Sequence, residues 1–530
     1  MVGAGPVGLS ASVALSRWGV SHVVVERHPG TAIHPKARGV DVRTMELFGR
    51  WGIADQVRAA GLPAEEHGYF FRGPTLTSAP FERYGGGGAS TDAHRFSPAT
   101  WLVIGQDALE PVLLAVTREL GQADVRFGHE LVAVEAAADA VAATVVDRRT
   151  SRRATIRAGW VIAADGAGSR IREARGIPLV GRDPLVRNSS ILFRADLAEV
   201  IADRRSAVYY LTGDGEPRPR GYPMSVGNPP ANGALLAINN RDRWLLVVGH
   251  PDGDDSVPAG EAAVALVRAA IGRADLDIEV LSVLAWTPAA RVAQRYRDGR
   301  ILLAGDAAHE MTPSGAFGLN VGIQDADNLG WKLAFALAGW AAPALVDTYD
   351  AERRPIARVA AEESYRQFSG ERPPRPFGNW GMILGGQVES GAIVADGTDP
   401  PRVADAAMEY VAVARPGHRL PHAWLGDGSA RRSTLDLLGP GFTLLTRDPA
   451  WVEAAHALAA LAGPPLDAHL LAGDRTPGDR AAFDAQFGIG EGGAVLTRPD
   501  GIVGWRARAT DQRRPPREAL AEGLGRLLGR

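Results

Sequence analysis

The 530-residue chain contains no cysteine. Disulfides, thiolate metal sites and a cysteine nucleophile are therefore excluded, so any redox chemistry must come from a bound cofactor. The chain also lacks an apolar run of about 18 or more residues, which excludes a membrane-spanning helix, and it lacks a signal-peptide pattern. A net charge of -3 and a pI near 6.5 provide no broad basic field for nucleic acid. We therefore predict a cytoplasmic protein without nucleic-acid or membrane partners.

Glycines recur at the start of the chain, in GAGPVG. Gly3, Gly5 and Gly8 have the spacing of a turn that leads from a strand into a helix and brings the backbone close to a pyrophosphate. With 63 glycines the same spacing also arises by chance, so the context matters. A helical run follows, and then the short strand HVVVE, which ends at Glu26 and places a carboxylate where it can accept hydrogen bonds from a ribose. The pattern predicts a βαβ unit that binds a nucleotide.

Only Met1 and Val2 precede this glycine loop. A first strand normally has about five or six residues. We expect that two residues cannot form it and that the natural start lies upstream.

Two other passages place an aspartate at the end of an apolar strand. In ILLAGDAAH the strand ends at Gly305 and Asp306, and in VIAADGAGSRIR it ends at Asp165 and Gly166. A carboxylate at the end of a parallel strand can bind a cofactor hydroxyl. Asp306 could instead cap a helix, and Gln106, at a predicted helix start, could be a surface amide. An acidic residue closes an apolar strand in three passages, at Glu26, Asp165 and Asp306. This recurrence favours a single shared cofactor.

These passages, together with GDAAHEMTPSGAFGLNVGIQDADNLGWKLA, resemble the class A FAD-dependent aromatic monooxygenases, the group that includes para-hydroxybenzoate hydroxylase. The resemblance covers nearly the whole chain. HPKARGVDVRTMELFGRWGI and WTPAARVAQRYRDGRILLAGDAAH are most similar to the aromatic polyketide hydroxylases, such as aklavinone hydroxylase, and to the flavoenzyme of the rebeccamycin pathway.

The resemblance implies an α/β fold with a Rossmann-like FAD-binding domain, an antiparallel-sheet substrate domain and a C-terminal thioredoxin-like domain. We expect the FAD-binding domain at 1–177 and 291–372. The substrate domain is expected at 178–290, with an excursion at about 68–100. A linker at 373–413 and a thioredoxin-like domain without cysteines at 414–530 follow. Its implied role is structural or dimer-supporting, and a homodimer is left open.

The resemblance also implies non-covalent FAD, with NADPH or NADH as reductant. It assigns the glycine loop and Glu26 to the AMP half, Gln106 and Asp306 to the ribityl-pyrophosphate region, and the loop after Pro313 to the flavin ring. Relatives often have arginine where this chain has Lys36, so either Arg38 stacks on the flavin or that contact is weaker. The assigned cofactor residues are Gly3, Gly5, Pro6, Val7, Gly8, Glu26, Arg27, Lys36, Arg38, Gln106, Asp165, Gly166, Gly305, Asp306, Pro313, Gly315, Gly318, Leu319 and Asn320.

The reaction implied by the resemblance is hydroxylation of a polycyclic aromatic, polyketide-type phenol. NAD(P)H reduces FAD, dioxygen adds at C4a, and the flavin hydroperoxide transfers OH to the ring, so no metal and no catalytic triad are needed. No general base can be chosen, and His309 is expected to be structural. The substrate candidates are Phe193, Tyr222, Met224, Trp286, Pro313 and Phe317.

Three alternatives stay open. The same cofactor could support Baeyer–Villiger or oxidative-decarboxylation chemistry, which the product would reveal. The substrate could be a simple phenol. The third alternative is a non-catalytic binding protein that has the fold of FAD-binding enzymes. A colourless purified protein would favour this alternative.

Overall fold

The computed structural model describes residues 1–66, 70–78, 81–84, 93–185, 187–213, 232–250, 256–372, 378–428, 431–511 and 514–530. None of the described helices is long and apolar enough to cross a membrane. The helices are α1 Pro6–Ser16, α2 Val42–Trp51, α3 Ala54–Ala60, α4 Gln106–Leu120, α5 Arg170–Ala174, α6 Glu261–Ile271, α7 Phe317–Leu337, α8 Thr348–Ser369, α9 Trp380–Leu384, α10 Pro449–Ala459, α11 Arg480–Phe487 and α12 Pro516–Leu527.

The strands before the second half of the chain are β1 His22–Glu26, β2 Gly39–Val40, β3 Phe70–Gly73, β4 Glu82–Tyr84, β5 Leu102–Val103, β6 Ala123–Phe127, β7 His129–Ala136, β8 Val141–Asp147, β9 Arg153–Ala158, β10 Val161–Ala163, β11 Leu179–Arg182, β12 Asn188–Arg194, β13 Val208–Thr212, β14 Asn232–Ala237 and β15 Arg243–Gly249. They are followed by β16 Glu279–Trp286, β17 Ala290–Ala293, β18 Arg297–Asp298, β19 Ile301–Leu303, β20 His309–Glu310, β21 Trp424–Leu425, β22 Arg432–Ser433, β23 Phe442–Thr446, β24 Leu466–Leu470, β25 Ala494–Thr497 and β26 Val503–Ala507.

The first two residues of the chain occupy a strand position in a parallel sheet. Val2 bridges Val25 of β1 on one side and Ala163 of β10 on the other. Its N–H donates to the carbonyl oxygen of Ile162 at 2.9 Å, and Val25 N–H donates to the carbonyl oxygen of Met1 at 3.0 Å. Val2 fills this position as an isolated bridge and not as a strand of ordinary length, as expected of two residues.

The sheet is extended in parallel on both sides, because β6 pairs with β1 and β19 pairs with β10, and β18 then pairs antiparallel with β19. Four predicted site residues follow the carboxyl ends of its members. Gly3 follows Val2, Glu26 closes β1, Asp165 follows β10 and Asp306 follows β19. Since carboxyl ends of parallel strands meet at one edge, the topology brings these residues to a common cleft.

A second sheet has the strand order β16-β12-β15-β14-β13-β3-β4, and only the β13–β3 pair is parallel. The prediction of a mainly antiparallel sheet in this part of the chain is confirmed, and α6 lies between β15 and β16 in the sequence. This helix packs on one face of the sheet, where Phe193, Tyr209 and Trp244 are fully buried. The other face carries Leu192 and Tyr210 and packs against Phe368 of α8.

The C-terminal sheet has the order β24-β23-β25-β26, with β23 and β24 parallel and the other pairs antiparallel. Helices α10, α11 and α12 follow β23, β24 and β26 in the chain. One hydrophobic cluster joins Phe442 and Trp451 of this part to Trp331 and Phe335 of α7. The passage predicted as a linker is packed where it is described, since it contains α9 and the buried Trp380.

Candidate active site

The start of α1 is open to an anion. Gly3 has a φ of +97°, and a Cβ there would lie 2.2 Å from the carbonyl oxygen of Ala164, so only glycine fits. A Cβ on Gly8 would lie 2.0 Å from the carbonyl oxygen of Gly3, whereas one on Gly5 would meet no atom closer than 3.9 Å. Gly5 caps α1 without any side-chain hydrogen bond, and Pro6 and Val7 begin the helix. The free N–H groups and the positive dipole end of α1 can therefore bind phosphate.

Glu26 and its neighbours form the next part of the cleft. Its carboxylate accepts hydrogen bonds from the N–H of Ala4 at 2.9 Å and the N–H of His28 at 2.9 Å. The side chain is thus held at the end of β1, beside the glycine loop. Arg27 is exposed, and its carbonyl oxygen accepts from Arg148 at 3.3 Å.

Residues 36–38 run along one wall of the cleft. The N–H of Gln106 donates to the carbonyl oxygen of Ala37 at 2.8 Å, which ties this wall to the start of α4. The Arg38 guanidinium donates to the carbonyl oxygens of Ala207 and Ala237 in the second sheet. Lys36 is exposed. Arg38 is therefore bound to the second sheet, and Lys36 is the exposed cation on this wall.

Glu110 is a buried acid beside the glycine loop that sequence reasoning missed. Its side chain accepts from Gln106 Nε2 at 2.7 Å and from the N–H of Ala32 at 2.5 Å. Burial raises the pKa of this carboxyl. The available signal was a glutamate between the apolar positions of α4, one turn after Gln106.

The Asp165 turn is locked from within. Asp165 accepts a hydrogen bond from Ser169 Oγ at 2.6 Å, and burial raises its pKa. Gly166 follows with a φ of +84°. Arg172 is buried, and its guanidinium donates to the carbonyl oxygens of Ala167 at 2.9 Å and Ala307 at 3.3 Å. Arg172 thereby joins the Asp165 turn to the Asp306 turn.

Asp306 faces the open cleft. Its side chain is exposed and makes no hydrogen bond with the described residues, yet burial among surrounding protein atoms raises the pKa of its carboxyl. The nearby charges of His309 and Lys36 act in the opposite direction. The exposed carboxylate is therefore available to accept a hydrogen bond from a bound hydroxyl.

The turn that presents Asp306 is fixed by a buried acid of α7. Asp325 accepts from the N–H of Gly305 at 3.3 Å, from His309 Nε2 at 2.9 Å and from Arg353 Nε at 2.8 Å. A carboxylate only accepts, so His309 carries its proton on Nε2. His309 is fully buried, as the structural prediction for it requires. The sequence did not single out Asp325 or Arg353, since neither lies near the glycine motif.

The loop before α7 forms the opposite wall. Pro313 is exposed, and Ala316 has a left-handed φ of 54°, with its Cβ only 2.9 Å from where a Cβ on Gly39 would lie. The Asn320 amide is buried and donates to the carbonyl oxygens of Gly39 and Ala316. The Asn320 side chain therefore holds this loop rather than pointing into the cleft. The remaining assigned residues of the loop are Gly315, Gly318 and Leu319, all half-buried.

Residues 1–364 match the family described as FAD binding domain, and residues 413–530 match the one described as aromatic-ring hydroxylase, C-terminal. The chain belongs to the FAD-dependent aromatic-ring hydroxylases. The resemblance found in the sequence is thus confirmed, and the protein is an FAD-dependent aromatic-ring monooxygenase.

Similar proteins include a putative polyketide hydroxylase of Streptomyces halstedii, 40% identical over 96% of this chain and 93% of that protein. Among solved structures, the flavin-dependent monooxygenase PieE in complex with FAD and substrate is 33% identical, with a TM-score of 0.88, over 100% of this chain and 98% of that one. The ternary complex of aklavinone-11 hydroxylase with FAD and aklavinone is 32% identical, with a TM-score of 0.86 and the same coverage.

The residues of this hydroxylase fit FAD. The uncapped start of α1 suits the pyrophosphate, and Glu26 and Asp306 supply acceptors for cofactor hydroxyls. Two observations carry the fit: the open space at Gly5, and the exposed carboxylate of Asp306, which makes no hydrogen bond with the part of the chain that the structure describes. Within the described residues no cluster of histidine and acidic side chains is arranged to hold a metal.

Two substrate candidates require correction. Phe193 lies on the α6 face of the second sheet and is fully buried, because side chains alternate along β12 and its neighbour Leu192 faces α8. Phe317 is 3% exposed and packs in the core beneath the parallel sheet. Trp286 lies on the α8 face and donates from Nε1 to Ser190 Oγ at 2.8 Å. Tyr222 and Met224 lie outside the described residues.

Proposed function

We propose that this aromatic-ring hydroxylase adds a hydroxyl group to a polycyclic aromatic phenol of polyketide type, with NADPH or NADH as reductant. The carrying observation is a half-buried apolar face on the second sheet, next to the wall formed by residues 36–38. Val208, Leu236 and Trp286 on this face are only half-buried although they are large and apolar. Apolar side chains that line an open crevice suit a flat aromatic ligand.

Two contacts support the placement of this face beside the cofactor wall. Arg38 binds the carbonyl oxygens of Ala207 and Ala237, which adjoin Val208 and Leu236. His34 Nδ1 is 2.8 Å from Ser282 Oγ of β16. These contacts join residues 34–38 to the second sheet, which supports a substrate position between the cofactor wall and the apolar face.

The size class of the substrate is argued from relatives. One similar structure contains aklavinone, and the Streptomyces halstedii relative is named a putative polyketide hydroxylase, which supports a polycyclic ligand for this chain. A simple phenol is the second candidate.

FAD, once reduced, supplies the chemistry that activates dioxygen. The chain's own residues have three tasks. The start of α1 and Asp306 hold the cofactor, the apolar face with Trp286 orients the ring, and the same face excludes water. Lys36 presents a positive charge to this region, where it can stabilise an anionic ligand.

We also infer that the C-terminal part is thioredoxin-like. Its first two strands, β23 and β24, are parallel and joined by α10, and the antiparallel β25 and β26 complete the order second-first-third-fourth. The inferred bounds are 1–177 and 291–372 for the FAD-binding domain, 178–290 for the substrate domain and 414–530 for the thioredoxin-like domain.

The test is oxidation of NAD(P)H by the yellow holoenzyme across a panel of polycyclic and monocyclic phenols. We expect stimulation by the polycyclic phenols and a product heavier by one oxygen atom with its rings intact. A ring-expanded lactone would show Baeyer–Villiger chemistry instead, and preference for monocyclic phenols would contradict the size class.

Trp286→Ala tests the site itself. We expect KM for the aromatic substrate to rise roughly tenfold, which corresponds to about 1.4 kcal/mol of lost contact. FAD content should stay unchanged. The matched control is Tyr209→Phe on the α6 face of the same sheet, which should leave KM unaltered. An unchanged KM in Trp286→Ala would place the substrate elsewhere.

A further inference from the structure

Two consecutive residues of α8 connect the C-terminal part to the Asp306 turn. Glu352 is 1% exposed and Arg353 is 5% exposed. Because successive residues of a helix point about 100° apart, the two side chains leave different faces of α8. The Glu352 side chain points toward the C-terminal part, and the Arg353 side chain points toward the Asp306 turn.

On the first face, Glu352 is bound by cations that lie in two parts of the chain. Arg498, in the turn after β25, donates through both terminal nitrogens to Glu352 at 2.7 Å each. Lys332 of α7 lies 2.9 Å from the same carboxylate. Burial alone would raise the pKa of Glu352, but Arg498 and Lys332 bring it well below its ordinary value. Glu352 is therefore ionised, and its ion pair with Arg498 holds α8 against the turn after β25.

The Arg498 guanidinium is held in turn by its own part of the chain. Its Nε donates to Asp500 Oδ1 at 3.1 Å, and Asp500 also accepts from the indole of Trp331 at 3.2 Å. Ser390 donates to Glu352 at 2.6 Å. This network is buried, and Arg498 makes two hydrogen bonds to Glu352. It therefore fixes the position of α8 more narrowly than a surface ion pair could.

On the second face, Arg353 donates from Nε to Asp325 at 2.8 Å and from a terminal guanidinium nitrogen to the carbonyl oxygen of Val321 at 3.0 Å. Asp325 holds the N–H of Gly305, the residue before Asp306. A displacement of this turn of α8 would thus move the group that orients the Asp306 turn.

We propose that the cysteine-free C-terminal part sets the affinity for FAD by positioning α8, through Arg498 and Glu352 on one face and Arg353, Asp325 and Gly305 on the other. Arg498, Glu352, Arg353 and Asp325 are positioning residues, since they act on the cofactor through the backbone of the Asp306 turn. The inference uses the membership in the FAD-dependent hydroxylases and does not depend on the proposed substrate.

The test compares FAD dissociation constants of flavin-stripped full-length variants, measured by flavin fluorescence, with melting temperatures of the same proteins by circular dichroism. Arg498→Met removes the guanidinium and keeps most of the side-chain volume. The matched control is Arg447→Met, because the Arg447 side chain is 7% exposed, lies in the same C-terminal part and pairs with Asp484, and no hydrogen bond or ion pair among the described residues joins it to α8. We expect at least tenfold weaker FAD binding in Arg498→Met and less than a twofold change in Arg447→Met.

A double variant separates positioning from general loss of stability. Asp325→Asn should weaken FAD binding as Arg498→Met does. The double variant, which combines Arg498→Met with Asp325→Asn, should bind FAD no more weakly than the single variant that has the lower FAD affinity. Should Arg498→Met fail to fold, Arg498→Lys retains the charge without the two-point contact and is judged by the same criterion. FAD affinity within twofold of the parent, equal effects in the Arg447→Met control, or additive effects in the double variant would each overturn the proposal.

Discussion

Asp306 combines an exposed side chain with a raised pKa, which gives one substitution two opposite effects. The Asp306 carboxyl therefore binds a proton more tightly in the folded apo-protein than in the unfolded chain. As the pH rises above 3.8, the ordinary pKa of this group, its contribution lowers the free energy of unfolding. Asp306→Asn should therefore raise the melting temperature of the apo-protein at neutral pH, and the gain should shrink as pH falls toward that value. FAD binding should weaken by roughly 10- to 100-fold, because a charge-assisted hydrogen bond of about 1.5–3 kcal/mol is lost.

Circular dichroism of the apo-protein and flavin titration measure the two effects separately. The control is Asp203→Asn, whose side chain is 77% exposed on the surface, and which should change neither quantity. An Asp306→Asn variant that binds FAD as tightly as the parent would show that this carboxylate does not contact the cofactor.

The glycines of the first loop have different tasks, which substitutions should separate. Gly3→Ala adds a Cβ 2.2 Å from a carbonyl oxygen at a φ of +97°, so the fold should lose stability beyond the roughly 1–3 kcal/mol of backbone strain alone. Gly5 has an ordinary φ of -71° and open space around it. Gly5→Val should keep most of the apo-protein's stability but lower FAD occupancy, as the ratio of flavin to protein absorbance would show. Full occupancy would mean that the phosphates bind elsewhere.

At the scale of elements, α1 and α7 pack closely because both helices have small residues where they contact each other. A Cβ on Gly330 of α7 would lie 2.6 Å from the Cβ of Ala14 of α1. Gly330→Ala should lower the free energy of unfolding by about 1–3 kcal/mol through overpacking. Adding Ala14→Gly should restore part of that loss.

Gly49→Ala is the control for this prediction. Gly49 lies inside α2, and a Cβ there would meet nothing within 4 Å, so alanine should raise stability by roughly 0.4–1 kcal/mol. Urea titrations of the four proteins measure both effects. A stabilised Gly330→Ala variant would show that the helix pair can move apart without cost.

The ends of single strands were easier to predict from the sequence than contacts between distant segments. Glu26, Asp165 and Asp306 were predictable because each ends a short apolar strand, a pattern that is local in the chain. The face of β12 was not, since alternation separates Leu192 from Phe193 but does not say which side α6 covers. Glu110 and Asp325 were missed for a related reason. Their partners, such as Ala32 and Arg353, lie 78 and 28 residues away, and only the folded chain brings them together.

At the scale of the whole molecule, the C-terminal part shares a core with the FAD-binding part. Phe442 of β23 lies with its ring centre 6.0 Å from Phe335 and 6.5 Å from Trp331, both in α7. Helix α7 begins directly after the loop that forms the opposite wall of the cleft. Loss of the C-terminal part would expose the buried face of that helix, so the two parts should unfold as one cooperative unit.

This cooperativity predicts how the holoenzyme melts. Phe442→Ala removes a fully buried ring from the shared cluster and should cost about 3–5 kcal/mol. Flavin fluorescence, which rises when FAD is released, and far-ultraviolet circular dichroism should then both shift to lower temperature by the same amount, with coincident midpoints in parent and variant. If the C-terminal part were independent, the variant would lose part of its dichroism first while the flavin stayed bound up to the parent's temperature. Two separated transitions would therefore contradict a shared core.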